Sequence, residues 1–250
     1  MKPGEQHRAP AASQRQGPTM KSDDMPATNA GSAETAAPRR RKAHIRHTNE
    51  AHLLACAEAV FAERGLEGAS TAMIAERAGL PKANLHYYFP TKRDLYRRVL
   101  EDVFEDWHRA ADTFDASSDP AEAIAGYVRA KMALSRRRPL GSKVWANEII
   151  HGATHMQDIL SERVKPWMET RITMIDDWIA RGLIAPVDAR TFLFTIWALT
   201  QHFADFDAQI TALAGKRALS KKAFDATTEE VVTLVLRACG ATEKEGHPRA

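Results

Sequence analysis

The chain has 250 residues, 44% of them apolar and 27% charged, the balance of an ordinary globular protein with one large domain or two small ones. No window approaches the roughly 18 consecutive apolar residues of a bilayer-crossing helix, and the first Val, Ile, Leu or aromatic residue is Ile45. A membrane bundle and a secretory leader are therefore not expected, and the predicted location is cytoplasmic. The two cysteines, Cys56 and Cys239, are far apart and read as small core hydrophobes, specifying neither a disulfide framework nor a metal site.

Charge is unevenly spread. Residues 39–100 carry 12 Lys/Arg against 6 Asp/Glu, whereas residues 101–250 carry 19 against 22. A basic front half joined to a mildly acidic remainder is the pattern expected when one region meets a polyanion, with nucleic acid the first candidate.

Residues 1–46 hold prolines and small polar residues up to a basic run at Arg39, Arg40, Arg41 and Lys42. They are predicted to form a disordered tail ending in an arm that tracks phosphates. From residue 48 the apolar period is 3.6, so an all-helical protein is expected. Leu53, Cys56, Val60 and Phe61 mark one face of a first helix from Thr48 to Arg64, stopped by Gly65. Thr71 is the expected N-cap of a short helix to Ala78, with Ile74 and Ala75 facing inward. Gly79-Leu80 turns the chain, and Pro81 opens a third helix that Pro90 ends. Two short helices about a glycine turn make a helix-turn-helix.

Thr91 and Asp94 form a variant capping box, predicting a long fourth helix from Lys92 to about Asp115. Asp119-Pro120 opens a fifth, closed by Pro139. Gly141 to Ile150 makes a sixth, and His155 to Arg181 a seventh in which Pro166 marks either a kink or a join. Asp188 caps an eighth helix with Phe192, Leu193, Phe194, Ile196, Trp197 and Leu199, and a last one spans about Ala226 to Cys239. Both carry more apolar surface than one buried stripe requires, which predicts that they pair with a second copy as a four-helix bundle. Residues 47–95 are thus read as a DNA-binding domain, 96–240 as a second, dimerising helical domain to which the resemblance given below adds ligand binding, and 241–250 as a disordered C-terminus.

The recognition helix presents Lys82, Ala83 and Asn84 to a major groove, where Asn suits adenine and Lys a guanine or a phosphate. His86, Tyr87 and Tyr88 follow, one tyrosine ring expected to pack under the module and one hydroxyl to meet the DNA backbone. Thr71 and Lys92 stand at helix N-termini that favour a phosphate, one on each edge of the groove. In the second domain Trp107 and Trp197 offer flat walls, and Gln201, one turn beyond Trp197, offers a donor and an acceptor, a slot suited to a nucleobase-like effector. The same residues also suit a packed core in which Gln201 bonds a neighbouring helix and His202 and Asp205, three apart, pair with each other instead.

The stretch from Ala75 to Leu95, with its turn glycine, Tyr87-Tyr88, Phe89-Pro90 and capped Lys92, resembles the DNA-binding signature of the TetR family of bacterial repressors. The segment Ile196 to Phe206, with Asp106-Trp107 upstream, is similar to the pyrimidine-utilisation branch of that family. Pro81 departs from the serine common at the head of the recognition helix. The resemblance implies a three-helix DNA-binding module, a six-helix ligand-sensing and dimerising domain, a palindromic operator, and release of that operator by a small effector.

Two other classes compete with this reading. A ligand-independent architectural DNA binder needs only the arm and the helix-turn-helix, and leaves the acidic, aromatic-rich second domain without a purpose. A metal-dependent helical enzyme would rest on His151 and His155, with Gly152 between them and no intervening Glu. No phosphate loop, nucleophile elbow or paired carboxylates stand out, so neither catalysis nor a cofactor is expected.

Overall fold

A computed structural model describes residues 36–115, 117–215 and 220–241, with side chains from Thr48 onward. The chain divides into two compact units, Met1–His44 and Ile45–Ala250. Of the first, only a helical backbone from Ala36 is described, so the side chains of Arg40, Arg41 and Lys42 lie outside the described residues, as do residues 242–250. Helix α1 spans Ala36–Gly68, with Gly65 at φ 67 where the predicted stop falls. Its backbone begins well ahead of Thr48. No Gly or Pro lies between Arg39 and Arg64, and the Ala, Arg and Lys of this stretch are strong helix formers, so residues 36–46 are helical where the composition had suggested an irregular arm.

Helix α2 (Thr71–Ala78) is capped by Ser70, whose side chain accepts from the amide of Met73; Thr71 is its first residue and not the cap. Gly79 ends it in the left-handed region at φ 63, a conformation that glycine adopts without steric cost. Helix α3 (Lys82–Tyr88) follows Pro81. Helix α4 (Lys92–Ala111) starts in the predicted capping box, both Thr91 and Asp94 bonds being present, and gives way to a 3-10 turn over Asp112–Asp115.

Beyond it come α5 (Pro120–Arg137), capped by Asp119, and α6 (Pro139–Ile150). Pro139 closes the one and opens the other, since a proline at the first helical position loses no hydrogen bond. Gly141 lies so close to α4 that a Cβ there would meet Val103 at 2.9 Å and Arg138 at 3.0 Å. The single seventh helix of the sequence reading is three segments. Helix α7 (Gln157–Ile159) widens into a π-turn over Leu160–Val164 and continues as α8 (Lys165–Ala180). The wide turn stands immediately before Pro166, which has no N–H to donate. Helix α9 (Ala189–Asp205) is capped by Asp188, α10 (Asp207–Ala214) was not anticipated, and α11 (Lys221–Ala238) begins at a Ser220 cap. No strand occurs among the described residues.

Two apolar cores result. One joins Leu53, Phe61, Ile74 and Leu85 of the helix-turn-helix module to Leu95, Val99 and Val103 of α4, and runs on into Val144, Trp145, Met156 and Ile159. The other centres on α5, enclosed by α8, α9 and α11. Most of the apolar excess of α9 and α11 is absorbed here: Phe192, Leu193 and Ile196, and Val231, Val232, Val235 and Leu236, are buried within this single chain, leaving Phe194 and Leu234 exposed.

Candidate DNA-binding surface and effector cavity

Lys82, Ala83, Asn84, His86 and Tyr87 are all exposed, whereas Leu85 of the same helix is wholly buried and anchors it. Tyr88 packs partly against the module core, edge-on to Tyr87 at 5.3 Å, so the two rings are split between interior and surface. His86 bonds through Nδ1 to the carbonyl of Pro90 at 3.3 Å. Thr71 and Lys92 stand at the starts of α2 and α4. The Lys92 ammonium, however, donates to the carbonyls of Leu66 at 2.6 Å and Ala69 at 3.1 Å, tying the end of the first helix to the start of the fourth. It acts as an internal brace, so a phosphate at the α4 N-terminus would meet backbone amides.

Trp107, Trp197 and Gln201, chosen from sequence as the effector site, line one cavity of about 580 Å³ between α4, α5, α6, α8 and α9. Its walls are aromatic. Trp107 lies 5.0 Å from Trp145, Trp167 lies 5.8 Å from Tyr127 and 6.2 Å from Trp197, and the Trp197 indole N–H donates to the Tyr127 hydroxyl at 2.8 Å. Gln201 is half-buried and has no hydrogen-bond partner among the described residues. Asp205 is not paired with His202 by a hydrogen bond; its carboxylate accepts from the Ser142 hydroxyl at 2.6 Å, and burial raises its pKa. His202 stacks on Phe206.

Lys131 also lines the cavity, and the sequence reading passed over it. It is 5% exposed, lies 4.3 Å over the Trp107 ring, and makes no hydrogen bond among the described residues. Burial lowers its pKa to about 7, against the opposing pull of Asp205. The signal was present in the sequence: Lys131 follows Tyr127 by one helical turn, a cation inside the apolar stripe of Ile124, Val128 and Leu134.

Arg138, between α5 and α6, was likewise passed over. Its guanidinium donates to Glu58 of α1 at 2.6 and 2.8 Å, to Asp102 at 2.8 Å and to Asp106 at 2.7 Å on α4. The cations hold the Asp106 carboxyl below its ordinary pKa against the cost of burial. His151 bonds the Asn147 carbonyl at 2.7 Å and His155 faces Glu148 at 3.3 Å, so the two histidines engage different partners. A second cavity of about 590 Å³, between α5 and α11, is crossed by the Arg129–Glu229 and Arg136–Asp225 ion pairs.

An exposed short helix set by a glycine turn, joined through α4 to an aromatic cavity, defines a helix-turn-helix DNA-binding transcriptional regulator. The family model described as bacterial regulatory proteins, tetR family, matches residues 53–99, and that of the YcdC-like protein C-terminal region matches residues 100–242. The chain belongs to the TetR family. It is 34% identical over 184 residues to the HTH-type transcriptional regulator RutR of Escherichia coli K12, covering 74% of this chain and 87% of that one. It is 26% identical over 137 residues to the HTH-type transcriptional repressor KstR2 of Mycolicibacterium smegmatis, covering 54% and 66%. A similar fold is seen in AibR, solved in complex with isovaleryl coenzyme A and operator DNA, at 16% identity and a TM-score of 0.60, covering 74% of this chain and 97% of that one. The relatives are regulators and not enzymes, and no helix among the described residues is long and apolar enough to cross a membrane.

Proposed function

We propose that the protein is an effector-responsive repressor, working in the cytoplasm, that binds an inverted-repeat operator as a homodimer and releases it when a small planar molecule enters the aromatic cavity. The observation that carries this reading is that Trp107, a wall of the cavity, lies on the same helix as Lys92, the brace of the DNA-binding module. The 15 helical steps from one to the other span about 22 Å of rigid helix at 1.5 Å each. The head group that fits offers an acceptor to Lys131 and a donor to Asp205, with Gln201 able to serve either, as the adjacent C=O and N–H of a cyclic amide do.

The dimer contact falls on the exposed faces of α9 and α11, where Phe194 and Leu234 are uncovered. The basic residues Arg40, Arg41 and Lys42 add phosphate contacts, and the exposed residues Lys82, Ala83, Asn84, His86 and Tyr87, with Tyr88 beneath and the helix starts at Thr71 and Lys92, form the DNA surface. The test is Gln201→Ala in operator-binding assays. Affinity for operator should stay at the wild-type value, and the concentration of effector needed for release should rise at least tenfold. An unchanged effector response shows that the cavity is core and not sensor. Light scattering at micromolar concentration must give a dimer.

A further inference from the structure

The cavity is wider than a single ring requires, and the part of it that meets solvent is mostly apolar, with His202 its one exposed polar side chain. Its most enclosed lining residues, among them Tyr127, Lys131 and Trp145 at 3%, 5% and 6% exposure, mark the inner end. Of its exposed lining side chains, Phe194 and Ala198 lie on the α9 face given above to the dimer contact, and Ile149 at 42%, Ile150 at 73%, His202 and Phe206 at 51% mark the mouth. Uncharged apolar side chains this exposed normally mark a surface that something covers. A volume of about 580 Å³ is also in the range of pockets that enclose a drug-sized ligand. A bare nucleobase held at Lys131, Asp205 and Gln201 would leave the outer part of the cavity to water against Ile149, Ile150 and Phe206.

We infer that the effector has two parts, a cyclic-amide head seated at Lys131, Asp205 and Gln201, and an apolar substituent of several carbons that runs outward and lies against Ile149, Ile150 and Phe206. This rests on the effector reading given above and narrows it: the ligand class is a substituted ring amide, not the parent base. The head supplies orientation through its donor and acceptor, and the tail supplies affinity in proportion to the apolar area it removes from water. Selectivity among ring amides is then set at the mouth, by side chains that touch neither the head nor the DNA surface.

The test is calorimetric titration of the full-length protein with uracil, 6-methyluracil, 6-propyluracil and 6-hexyluracil. Each methylene that reaches the mouth should tighten binding by about fourfold, the equivalent of ~0.8 kcal/mol per buried CH₂. Ile150→Asp, at a site too exposed to threaten folding, should flatten that gain and leave uracil affinity within twofold of wild type; Phe206→Ser should do the same. Equal affinity for uracil and 6-hexyluracil overturns the tail and leaves the head reading standing. No binding by any of the four overturns both. A gain with chain length that both variants retain overturns the placement at the mouth. Should Ile150→Asp dissociate the dimer in sedimentation and leave the length dependence intact, a second copy covers these residues and the inference is likewise overturned.

Discussion

Arg138 Nη2 stands 2.6 Å from Glu58 Oε2, joining the loop between two cavity-lining helices to the first helix of the DNA-binding module. The pair is largely buried, at 18% and 10% side-chain exposure, and the same guanidinium reaches Asp102 and Asp106. Removing Arg138 would leave the buried carboxylates of Glu58 and Asp106, at 10% and 16% side-chain exposure, beside the more exposed Asp102 with no cation between them. Arg138→Ala should lower unfolding stability by about 2–4 kcal/mol, read from the urea midpoint, because a half-broken buried network costs more than an absent one. Glu58→Gln, which keeps a hydrogen-bond acceptor, should cost less and weaken the link between effector and operator affinity. Equal losses for the two variants would show that the cluster holds no special charge balance.

Lys92 and Lys82 should behave differently in salt. Lys82 is exposed on the recognition helix, so Lys82→Ala should lower the slope of log K against log salt by about 0.9. The Lys92 ammonium is bound to the Leu66 and Ala69 carbonyls, so Lys92→Ala should leave the slope unchanged and lower the melting temperature. A salt slope reduced equally in both would place the Lys92 ammonium on a phosphate instead.

Asn84 is the exposed amide of the recognition helix. Asn84→Ala should relax base preference at particular operator positions, by about 1–3 kcal/mol of discrimination, as measured by sequencing the duplexes retained from a random pool. Deleting residues 1–46 should lower affinity with no change in the selected sequence; a changed consensus would make that segment a reader of bases.

The lowered pKa of Lys131 makes stability depend on pH. In the folded chain the amine loses its proton at about 7, against an ordinary 10.5, so between those values the unfolded chain binds more protons and stability rises with pH. Below pH 7 both states are protonated and the full cost of burying the charge is present. Lys131→Met should therefore melt several degrees higher than wild type at pH 6.5, with the gap closing as pH rises toward 10. Taking the difference between the two proteins cancels the tyrosines, Tyr96 and Tyr127, whose pKa values burial raises beyond this window. A gap independent of pH would mean that folding leaves the Lys131 pKa unshifted, the amine staying charged in the folded chain across this whole range.

What the sequence disclosed and what it hid follow from distance along the chain. The capping box at Thr91, the stop at Gly65, the turn at Gly79 and the cap at Asp188 are local signals, and each is found where it was expected. Trp107, Trp197 and Gln201 were found together because aromatic and amide side chains at helical spacing are conspicuous, and the family signature drew attention to them. Lys131 and Arg138 were missed because each looks like an ordinary solvated cation until its helix is packed. Their meaning comes from Trp107, Glu58 and Asp106, residues that only folding brings near. The brace at Lys92 is of the same kind, its partners being 23 and 26 positions away. The apolar excess of α9 and α11 was expected to be covered by a second copy, and most of it is covered by α5 and α8 of the same chain.

The π-turn at Leu160–Val164 lies between two anchors that answer to different cores. Ile159 before it packs with the helix-turn-helix module, and Met168 after it packs with the α5 core. A helix fixes the angular phase of every residue it carries, about 100° per position, so one uninterrupted α-helix could satisfy both cores only by coincidence. One extra residue in a turn corrects the phase, much as an added tooth brings two gears into mesh. Leu160 and Val164, which bound the turn, both line the cavity, so the place where the two phases are reconciled is also a place that an effector touches. Deleting Ser161 would restore an α-helical turn and rotate one anchor by about 100° out of its core.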